Sequence, residues 1–485
     1  MKYLGYSIVW GMILVLLSAC GSQAIIKQDP ALESQQNGYV YAAYPLRGTI
    51  GVRELKTNQK YQLINNASHI NGWGANGVWL PPGEYTVDSW VGIKLEEYSP
   101  FSVEQGKVTD LGSFIPLSVG NYEFVLLPYR HSELDQIGDA AFKTLSPYIQ
   151  TKEIIQWRMN VPPKPTKDKV QGTGLGLIAD LLMAYDRKVN NPGLNELLRK
   201  ASTNEEFYAL ATKGMQPLGF EPAFDEDGNL YYGADLGQIR VRYAKGTWGS
   251  IDSGRIVPVT AVEWIEGQLV IGFDDGLISV LDKSGSRTDL TNTNNYSVVD
   301  IDRTNNGWVV ASAKYQNYKL EEAVVYSSSS NLPEVLIESQ KFTPKDTHFI
   351  PRPHGEVSGG TYFFSIFPGL NALDTKNLTW EKVILPGDVH SFHVSGSTVV
   401  AFKSQGAFSK VYLSRDSGNS WEQIDRPPYH IWNVNFTEGE GGTAARSKAK
   451  AFSVEQEFYQ YSPDQKKWTY LYSAPHGCNS APLLD

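Results

Sequence analysis

The sequence is poor in cysteine and methionine and contains no long run of basic residues. Its 485 residues include two cysteines and five methionines. Two cysteines allow at most one internal disulfide, which excludes a small disulfide-stapled scaffold. The 43 basic residues are outnumbered by 52 acidic ones, and the formal net charge is -9. Because nucleic-acid binding needs a cationic surface, we expect no nucleic-acid partner.

Long apolar segments are absent beyond the amino terminus. Charged residues make up 20% of the chain and hydrophobic residues 41%, which excludes wholesale disorder and a polytopic membrane protein. The chain is rich instead in glycine (44), tyrosine (27) and tryptophan (12). Glycine supplies turns and aromatic side chains suit pleated surfaces, so the composition favours a mainly β fold. The length suggests two to four domains.

The amino terminus has the pattern of an export signal. Lys2 precedes an apolar run from Ile8 to Leu17, which is too short for a stable membrane span. The sequence Leu17-Ser18-Ala19-Cys20 closely resembles the lipobox of bacterial lipoproteins. This resemblance implies cleavage before Cys20 and lipidation of its thiol, by palmitate or a similar acyl chain, so that the membrane is the first partner. The alternative is an ordinary signal peptide with an incidental cysteine.

Gly21 follows Cys20, whereas an Asp at this position resembles a signal for retention in the inner membrane. We therefore predict anchoring in the outer membrane of a Gram-negative cell, facing the periplasm or the cell surface. Residues 1–19 form the predicted signal peptide, and residues 20–37 are polar and unpatterned, as expected of a lipidated tether.

Two regions precede the second half of the chain. Residues 38–130 contain about six short alternating strands separated by turn residues, which predicts a β-sandwich. Residues 131–216 show helical periodicity and a proline-rich linker, which predicts a helical bridge. Its helices are expected after Ser132, over Leu177–Tyr185, and from a cap at Ser202 and Glu205 to Gly214.

Residues 217–485 contain a repeat. Short apolar strands recur at spacings of 39, 39, 54, 36 and 44 residues, measured at Tyr232, Ile271, Val310, Phe364, Val400 and Ala444. Each is followed by a hairpin with a polar turn, and four of these hairpins begin their return strand with tryptophan: Trp248, Trp380, Trp421 and Trp468. Such units imply a β-propeller of six blades, or of seven if the longest interval hides further strands.

One hairpin carries a complete motif. Ser414, Asp416, Gly418 and Trp421 match the S-x-D-x-G-x-x-W pattern and resemble the Asp-box, or bacterial neuraminidase repeat. Serine and aspartate side chains can bond the turn amides, glycine permits a left-handed residue, and tryptophan can anchor the hairpin between sheets. The resemblance implies a sialidase-like fold in which the box has a structural role.

Three histidines precede the first apolar run of three successive blades: His348, His390 and His430. Because that run is expected to form the innermost strand, the three imidazoles are candidates for binding at the channel mouth. Three imidazoles can hold a transition metal, which is the one cofactor that the sequence suggests. The alternative is that equivalent positions favour similar half-buried polar side chains.

These features favour a non-enzymatic binding or scaffolding role, with the propeller engaging another envelope protein or a glycan. The alternative is a sialidase-like, glycan-active hydrolase working at the channel mouth. A sialidase needs an arginine triad, a tyrosine with its glutamate and an acid/base aspartate. The segment Phe349-Ile350-Pro351-Arg352 has the residues of the family's Arg-Ile-Pro signature in a different order. We therefore assign no catalytic residue.

Overall fold

The computed structural model of the protein describes residues 33–46, 48–70, 72–120, 123–148, 154–167, 194–215, 217–218, 221–282, 285–316, 319–344, 352–385, 388–403, 410–425, 433–437, 441–450, 453–462 and 466–475. No helix within these ranges is long and apolar enough to cross a membrane. The predicted signal peptide, Cys20 and the helix predicted over Leu177–Tyr185 lie outside the described residues. The predicted mainly β fold, with a sandwich, helices and a propeller, is confirmed.

Two sheets form the amino-terminal sandwich. The larger contains β1 (Gly38–Pro45), β4 (Asn65–Ile70), β5 (Trp73–Leu80), β9 (Val108–Gly120), β10 (Glu123–Pro128), β11 (Ile154–Gln156) and β12 (Thr166–Lys167). The smaller contains β2 (Ile50–Glu54), β3 (Lys60–Leu63), β6 (Gly83–Trp90), β7 (Ile93–Lys94) and β8 (Phe101–Val103). Alternate residues of each strand share one face, so Val40, Ala42 and Tyr44 pack with Val52 and Val87 in the core between the sheets.

The bridge differs in three places from its sequence prediction. Two strands were not predicted: β11, which precedes the proline-rich linker and pairs in parallel with β9, and β12, which lies within that linker and pairs with β10. The helices are α1 (Ser132–Leu145), followed by a 3-10 turn (Ser146–Tyr148), α2 (Leu194–Lys200) and α3 (Asn204–Lys213). The short α2 was not predicted. The predicted cap at Ser202 is wrong by one residue, because the Thr203 hydroxyl accepts the Glu206 N–H; Gly214 caps the other end as predicted.

Six four-stranded antiparallel sheets make up the propeller in the described residues, and no seventh is found there. Blade 1 has β13 (Ala223–Phe224), β14 (Leu230–Gly233), β15 (Gln238–Arg242) and β16 (Trp248–Asp252). Blade 2 has β17 (Val259–Ile265), β18 (Gln268–Phe273), β19 (Leu277–Leu281) and β20 (Arg287–Asn292). Blade 3 has β21 (Ser297–Thr304), β22 (Gly307–Gln316), β23 (Lys319–Ser328) and β24 (Ile337–Phe342).

Blade 4 has β25 (His354–Ser358), β26 (Thr361–Ile366), β27 (Gly369–Asp374) and β28 (Thr379–Lys382). Blade 5 has β29 (Val389–Ser395), β30 (Thr398–Lys403), β31 (Lys410–Ser414) and β32 (Glu422–Ile424). Blade 6 has β33 (Asn433–Thr437), β34 (Gly441–Lys450), β35 (Ser453–Ser462) and β36 (Lys467–Pro475). The first strands contact one another in order, from β13 and β17 through β21, β25 and β29 to β33, and therefore form the inner wall.

Tryptophans in the second hairpins of blades 4, 5 and 6 pack each of these blades on the blade before it. Trp380 of blade 4 packs on the blade 3 core and donates from Nε1 to Ser339 Oγ at 3.0 Å. Trp468 of blade 6 packs on the blade 5 core and donates to the carbonyl of Asp425 at 3.0 Å. Trp421 packs at the interface of blades 4 and 5. The aromatic rings close the interfaces because a four-stranded sheet cannot bury both its faces alone.

An apolar core and a buried arginine join the propeller to the rest of the chain. The core runs from the larger sandwich sheet through all three helices into blades 1 and 2. Arg255 lies between blades 1 and 2 with its side chain 8% exposed. It donates from Nε to Glu133 of α1 at 2.6 Å and from both terminal nitrogens to Asp275 at 3.1 and 2.9 Å. Bidentate pairing of this kind fixes orientation as well as distance.

Asp88 in the sandwich generates a prediction on pH and stability. Its side chain, 4% exposed, accepts Arg53 Nε and Lys60 Nζ, both at 2.8 Å. Burial opposes ionisation, but the two cations outweigh it and hold the pKa of Asp88 below 3.8. Because the pKa is lower in the folded than in the unfolded chain, this stabilisation is complete above about pH 4 and is lost as the pH falls below it.

We expect Asp88→Asn to lower the free energy of unfolding by about 1–2 kcal/mol at neutral pH, and this deficit to shrink below about pH 4. Urea denaturation of both proteins across this pH range measures the difference. Glu96→Gln removes an exposed ion pair of the same sandwich and should change stability little. A deficit for Asp88→Asn that does not vary with pH would contradict the assignment.

Candidate functional site

Ionisable side chains occupy the same register position in the inner strands of four successive blades. The first hairpins of blades 2 to 5 close at Ile265–Gln268, Thr304–Gly307, Ser358–Thr361 and Ser395–Thr398. Counting back two residues from the first member of each pair gives Glu263, Asp302, Glu356 and His393. Asp300 and His354 lie two residues earlier again, so they point to the same side as Asp302 and Glu356.

Glu221 completes the group from the other side of the propeller. It immediately precedes blade 1, yet its carboxylate and the ligand atoms of His354 and Glu356 on β25 of blade 4 all lie within 4.8 Å of one another. A segment before blade 1 can approach blade 4 in this way only near the centre of the ring. We call Glu221, Glu263, Asp300, Asp302, His354, Glu356 and His393 the channel cluster.

Glu356 is the most completely bonded member of the channel cluster. It is 4% exposed. Its Oε1 lies 2.7 Å from His354 Nε2 and 3.3 Å from His393 Nδ1, while Oε2 accepts the backbone N–H of Val394 in blade 5. Burial opposes ionisation, but the charges and hydrogen bonds of His393 and His354 outweigh it and lower the pKa of Glu356. Glu356 is therefore ionised and fixed between two blades.

The pKa values of Glu263, Glu221 and Asp302 are raised, in contrast to that of Glu356. Burial, together with the negative charge of Asp300, raises the pKa of Glu263 to about 8. Burial and the neighbouring carboxylates also raise the pKa values of Glu221 and Asp302 well above their usual range. Glu221 is nevertheless exposed to solvent, although protein surrounds its carboxyl group closely. The cluster thus combines one carboxylate whose pKa is lowered with several whose pKa values are raised.

Histidine and arginine supply the positive charge here. Burial alone would lower the pKa of His354, but its hydrogen bond to Glu356 and the charges of Glu356 and Asp300 raise it. Arg352, which sequence comparison with sialidases singled out, donates from Nη2 to the carbonyls of Thr260 at 3.3 Å and Val298 at 3.1 Å. These carbonyls belong to blades 2 and 3, so Arg352 links inner strands of three blades.

The backbone of β25 approaches the Tyr362 and Asp300 side chains very closely at Gly355. The Tyr362 hydroxyl donates to Asp300 Oδ2 at 2.8 Å, and both groups lie where a Cβ at position 355 would be. Both groups are buried. Only glycine lets the backbone of β25 pass this hydrogen bond without a collision. This spacing explains why glycine separates His354 from Glu356.

The sequence-predicted motif residues lie on the outer side of blade 5. Ser414 Oγ accepts the Gly418 N–H and donates to Asp416 Oδ1, both at 2.8 Å. Asp416 Oδ1 also accepts the Ser420 N–H at 2.8 Å, and Trp421 Nε1 donates to the carbonyl of Gly418 at 3.0 Å. Gly418 has a positive φ of 86°. The side chains of this hairpin are therefore committed to its own turn.

The three histidines predicted at the channel mouth are not placed together by the described residues. His390 lies on β29, whereas His348 and His430 lie outside the described residues. Their convergence stays a prediction. Sequence reasoning missed the carboxylates of the channel cluster. Their signal is the register: Glu263, Asp302 and Glu356 stand at one position relative to the inner hairpin turn, which appears only when the repeats are aligned on that turn.

Blade 1 carries a second candidate site on one face of its sheet. The corresponding face of blade 4 packs on blade 3. Phe224, Leu230, Arg242 and Trp248 form one cross-strand row on this face, which we call the blade 1 face. Phe224 is 56% and Trp248 48% exposed. Behind them Arg240, 6% exposed, lies with its guanidinium carbon 5.6 Å from the Trp248 ring centroid. Its Nε and Nη1 are buried and have no hydrogen-bond partner.

No known protein family matches the chain, and no curated protein matches it. Among solved structures, it is similar to a chain in a crystal structure of the Mitotic Checkpoint Complex, with 9% identity and a TM-score of 0.38 over 54% of this chain and 78% of that chain. It is also similar to the WD40 beta propeller domain of Doa1, with 17% identity and a TM-score of 0.33 over 46% of this chain and 74% of that chain.

Gly355→Ala tests whether the close approach at the cluster constrains the fold. We expect the added methyl group to lower the free energy of unfolding by about 1–3 kcal/mol, because it displaces the hydrogen-bonded Tyr362 and Asp300 groups. Gly369→Ala in the same blade is the matched control, because its Cβ would lie 3.7 Å from the nearest atom, an ordinary contact. Chemical denaturation compares the two, and equal effects would contradict the constraint.

Proposed function

We propose that this protein is an outer-membrane lipoprotein that acts as a non-enzymatic binding module and engages another envelope protein through its propeller. The lipobox-like sequence ending at Cys20 supports the anchor. The polar residues 20–37 then lead into the sandwich, whose first strand begins at Gly38. In this arrangement the sandwich lies next to the membrane in sequence, and the propeller is the part presented to a partner.

The firm junction between the domains supports a scaffolding role. Domains joined only by a linker move relative to one another by default. Here an apolar core continues from the sandwich through the helices into blades 1 and 2, and the buried Arg255 joins α1 to the propeller. A partner bound to the propeller would therefore be held in one orientation relative to the sandwich.

The observation that carries the proposal is the blade 1 face. Its exposed aromatic side chains lie beside Arg242 and over the buried Arg240. Tryptophan, phenylalanine and arginine are enriched at protein interfaces and dominate their binding energy. Arg242 and the underlying Arg240 give this face positive charge, which suits acceptor groups of a partner, such as carboxylates or main-chain carbonyls. This composition favours a protein partner, and a glycan is the alternative ligand of the same face.

A glycan-active hydrolase is the second candidate, and one observation favours it. The carboxyl oxygens of Glu221 and Glu356 that face each other lie within 4.8 Å, and Glu221 is open to solvent. Retaining glycosidases place two carboxyl groups at a comparable separation, about 5 Å. Cleavage of fluorogenic glycosides by the purified protein, abolished by Glu356→Gln, would make this candidate the leading one.

Cys20→Ser tests the anchor. Without the thiol no acyl chain can be attached, so we expect loss of labelling by a radioactive or clickable palmitate analogue. We also expect the protein to move from the membrane to the soluble fraction, because stable anchoring depends on the acyl chains. Cys478→Ser removes the other cysteine and should leave both labelling and fractionation unchanged. Equal palmitate labelling of the wild type and Cys20→Ser would contradict the lipoprotein assignment.

A photo-crosslinking residue at Trp248 tests the partner surface in intact cells. We expect a reproducible protein adduct from position 248, because this side chain lies at the exposed end of the blade 1 face. Ile337, 62% exposed on β24 of blade 3, is the matched control and should give no such adduct. Identical adducts from both positions, or none from position 248, would contradict this surface as the interface. A glycan adduct would favour the alternative ligand.

A further inference from the structure

We propose that Glu221, His354 and Glu356 bind a divalent first-row transition cation at the centre of the propeller. Each side chain offers one ligand atom, and the three atoms lie within 4.8 Å of one another. Ligands bound at about 2.0–2.2 Å lie roughly 3–4 Å apart around one ion, so small side-chain rotations complete the site. Two carboxylates with an imidazole suit Mn²⁺ or Zn²⁺, because Mg²⁺ and Ca²⁺ prefer oxygen ligands alone.

The contact between His354 and Glu356 already has the geometry of a chelating pair. His354 Nε2 lies 2.7 Å from Glu356 Oε1 and shares a proton with it. A cation that bridges the same nitrogen and oxygen takes the place of that proton, which is released to solvent. Binding therefore replaces one hydrogen bond and does not require either side chain to find a new rotamer.

The surroundings of Glu356 hold this ligand in place. His393 Nδ1 lies 3.3 Å from Oε1, and the Val394 N–H donates to Oε2. Glu356 is 4% exposed, so its carboxylate has no room to turn toward bulk solvent. Hydrogen-bond partners behind a ligand orient it and raise metal affinity. For Glu356 these partners are His393 and the backbone N–H of Val394.

A buried oxygen nearby points independently to a missing positive charge. Oδ2 of Asp302 is buried and has no hydrogen-bond partner. An unpaired buried carboxyl oxygen is costly, and the neighbouring carboxyl groups of Asp300, Glu221, Glu263 and Glu356 disfavour ionisation of Asp302. The two histidines of the cluster, His354 and His393, are both hydrogen-bonded to Glu356. A divalent cation at Glu221, His354 and Glu356 would supply positive charge to this crowded group of carboxyl side chains.

The exposure of the three ligands gives the ion a path. Glu221 is exposed, His354 has a side chain 33% exposed, and Glu356 is buried. An ion arriving from solvent therefore meets Glu221 first and reaches Glu356 last. The gradient also makes Glu221 the best position for mutagenesis, because its replacement leaves the packed core untouched.

Metal titration of the full chain, purified in detergent and stripped with a chelator, tests the site. Mn²⁺ binding is followed by the loss of the free-ion electron paramagnetic resonance signal, and Zn²⁺ binding by competition with a chromophoric chelator. We expect one ion per chain. Glu221→Gln and His354→Gln should each weaken binding at least about tenfold, because each removes a direct ligand.

Glu263→Gln is the matched control, because it replaces a carboxyl group of the same cluster by the same amide as Glu221→Gln without removing a ligand. It should leave the affinity nearly unchanged. The proposal is overturned if the wild type binds neither ion, or if all three variants weaken binding equally, which would indicate diffuse attraction. Near-ultraviolet circular dichroism shows whether each variant is folded. If His354→Gln does not fold, the difference in metal affinity between Glu221→Gln and Glu263→Gln tests the proposal alone.

Discussion

A four-stranded sheet has two faces, and it can bury both only between two neighbours. This constraint organises the second half of the chain. It places Trp380, Trp421 and Trp468 on the face that meets the preceding blade, where each ring joins a core shared by two blades. The same constraint leaves the inner strands side by side around the axis, each with one edge that no further strand of its own sheet can pair.

Carboxylates of the channel cluster accept hydrogen bonds from some of the backbone N–H groups on these free strand edges. Glu356 accepts the N–H of Val394 from the next inner strand, and Glu263 likewise accepts the N–H of Arg303. Unpaired main-chain groups at a sheet edge need partners, and side chains at one repeated position provide them between blades. The cost is a concentration of negative charge, which shows in the raised pKa values of Glu221 and Asp302. A structural device for joining blades has thus created an electrostatic environment suited to cations.

The blades could be predicted from sequence because their signals are local and repeated. Alternating strands, polar turns and hairpin tryptophans recur within each unit, and the sandwich strands alternate in the same way. The channel cluster could not be predicted so directly, because Glu221 precedes blade 1 and meets His354 and Glu356 of blade 4 only in the folded propeller. The errors in the bridge have a similar cause. Ser202 and Thr203 are adjacent residues whose hydroxyl groups can both cap a helix, and β11 is fixed by its pairing with β9.

The two candidate sites suit ligands of opposite charge, but each includes a residue of the segment from Glu221 to Phe224. The channel cluster is rich in carboxylates and suits a cation, whereas the blade 1 face presents arginine and aromatic rings and suits an acceptor-bearing partner. Glu221 belongs to the first site and Phe224 to the second, and the short β13 carries the connection between them. Any displacement of β13 from the blade 1 face would therefore also move Glu221, which lies two residues ahead of it.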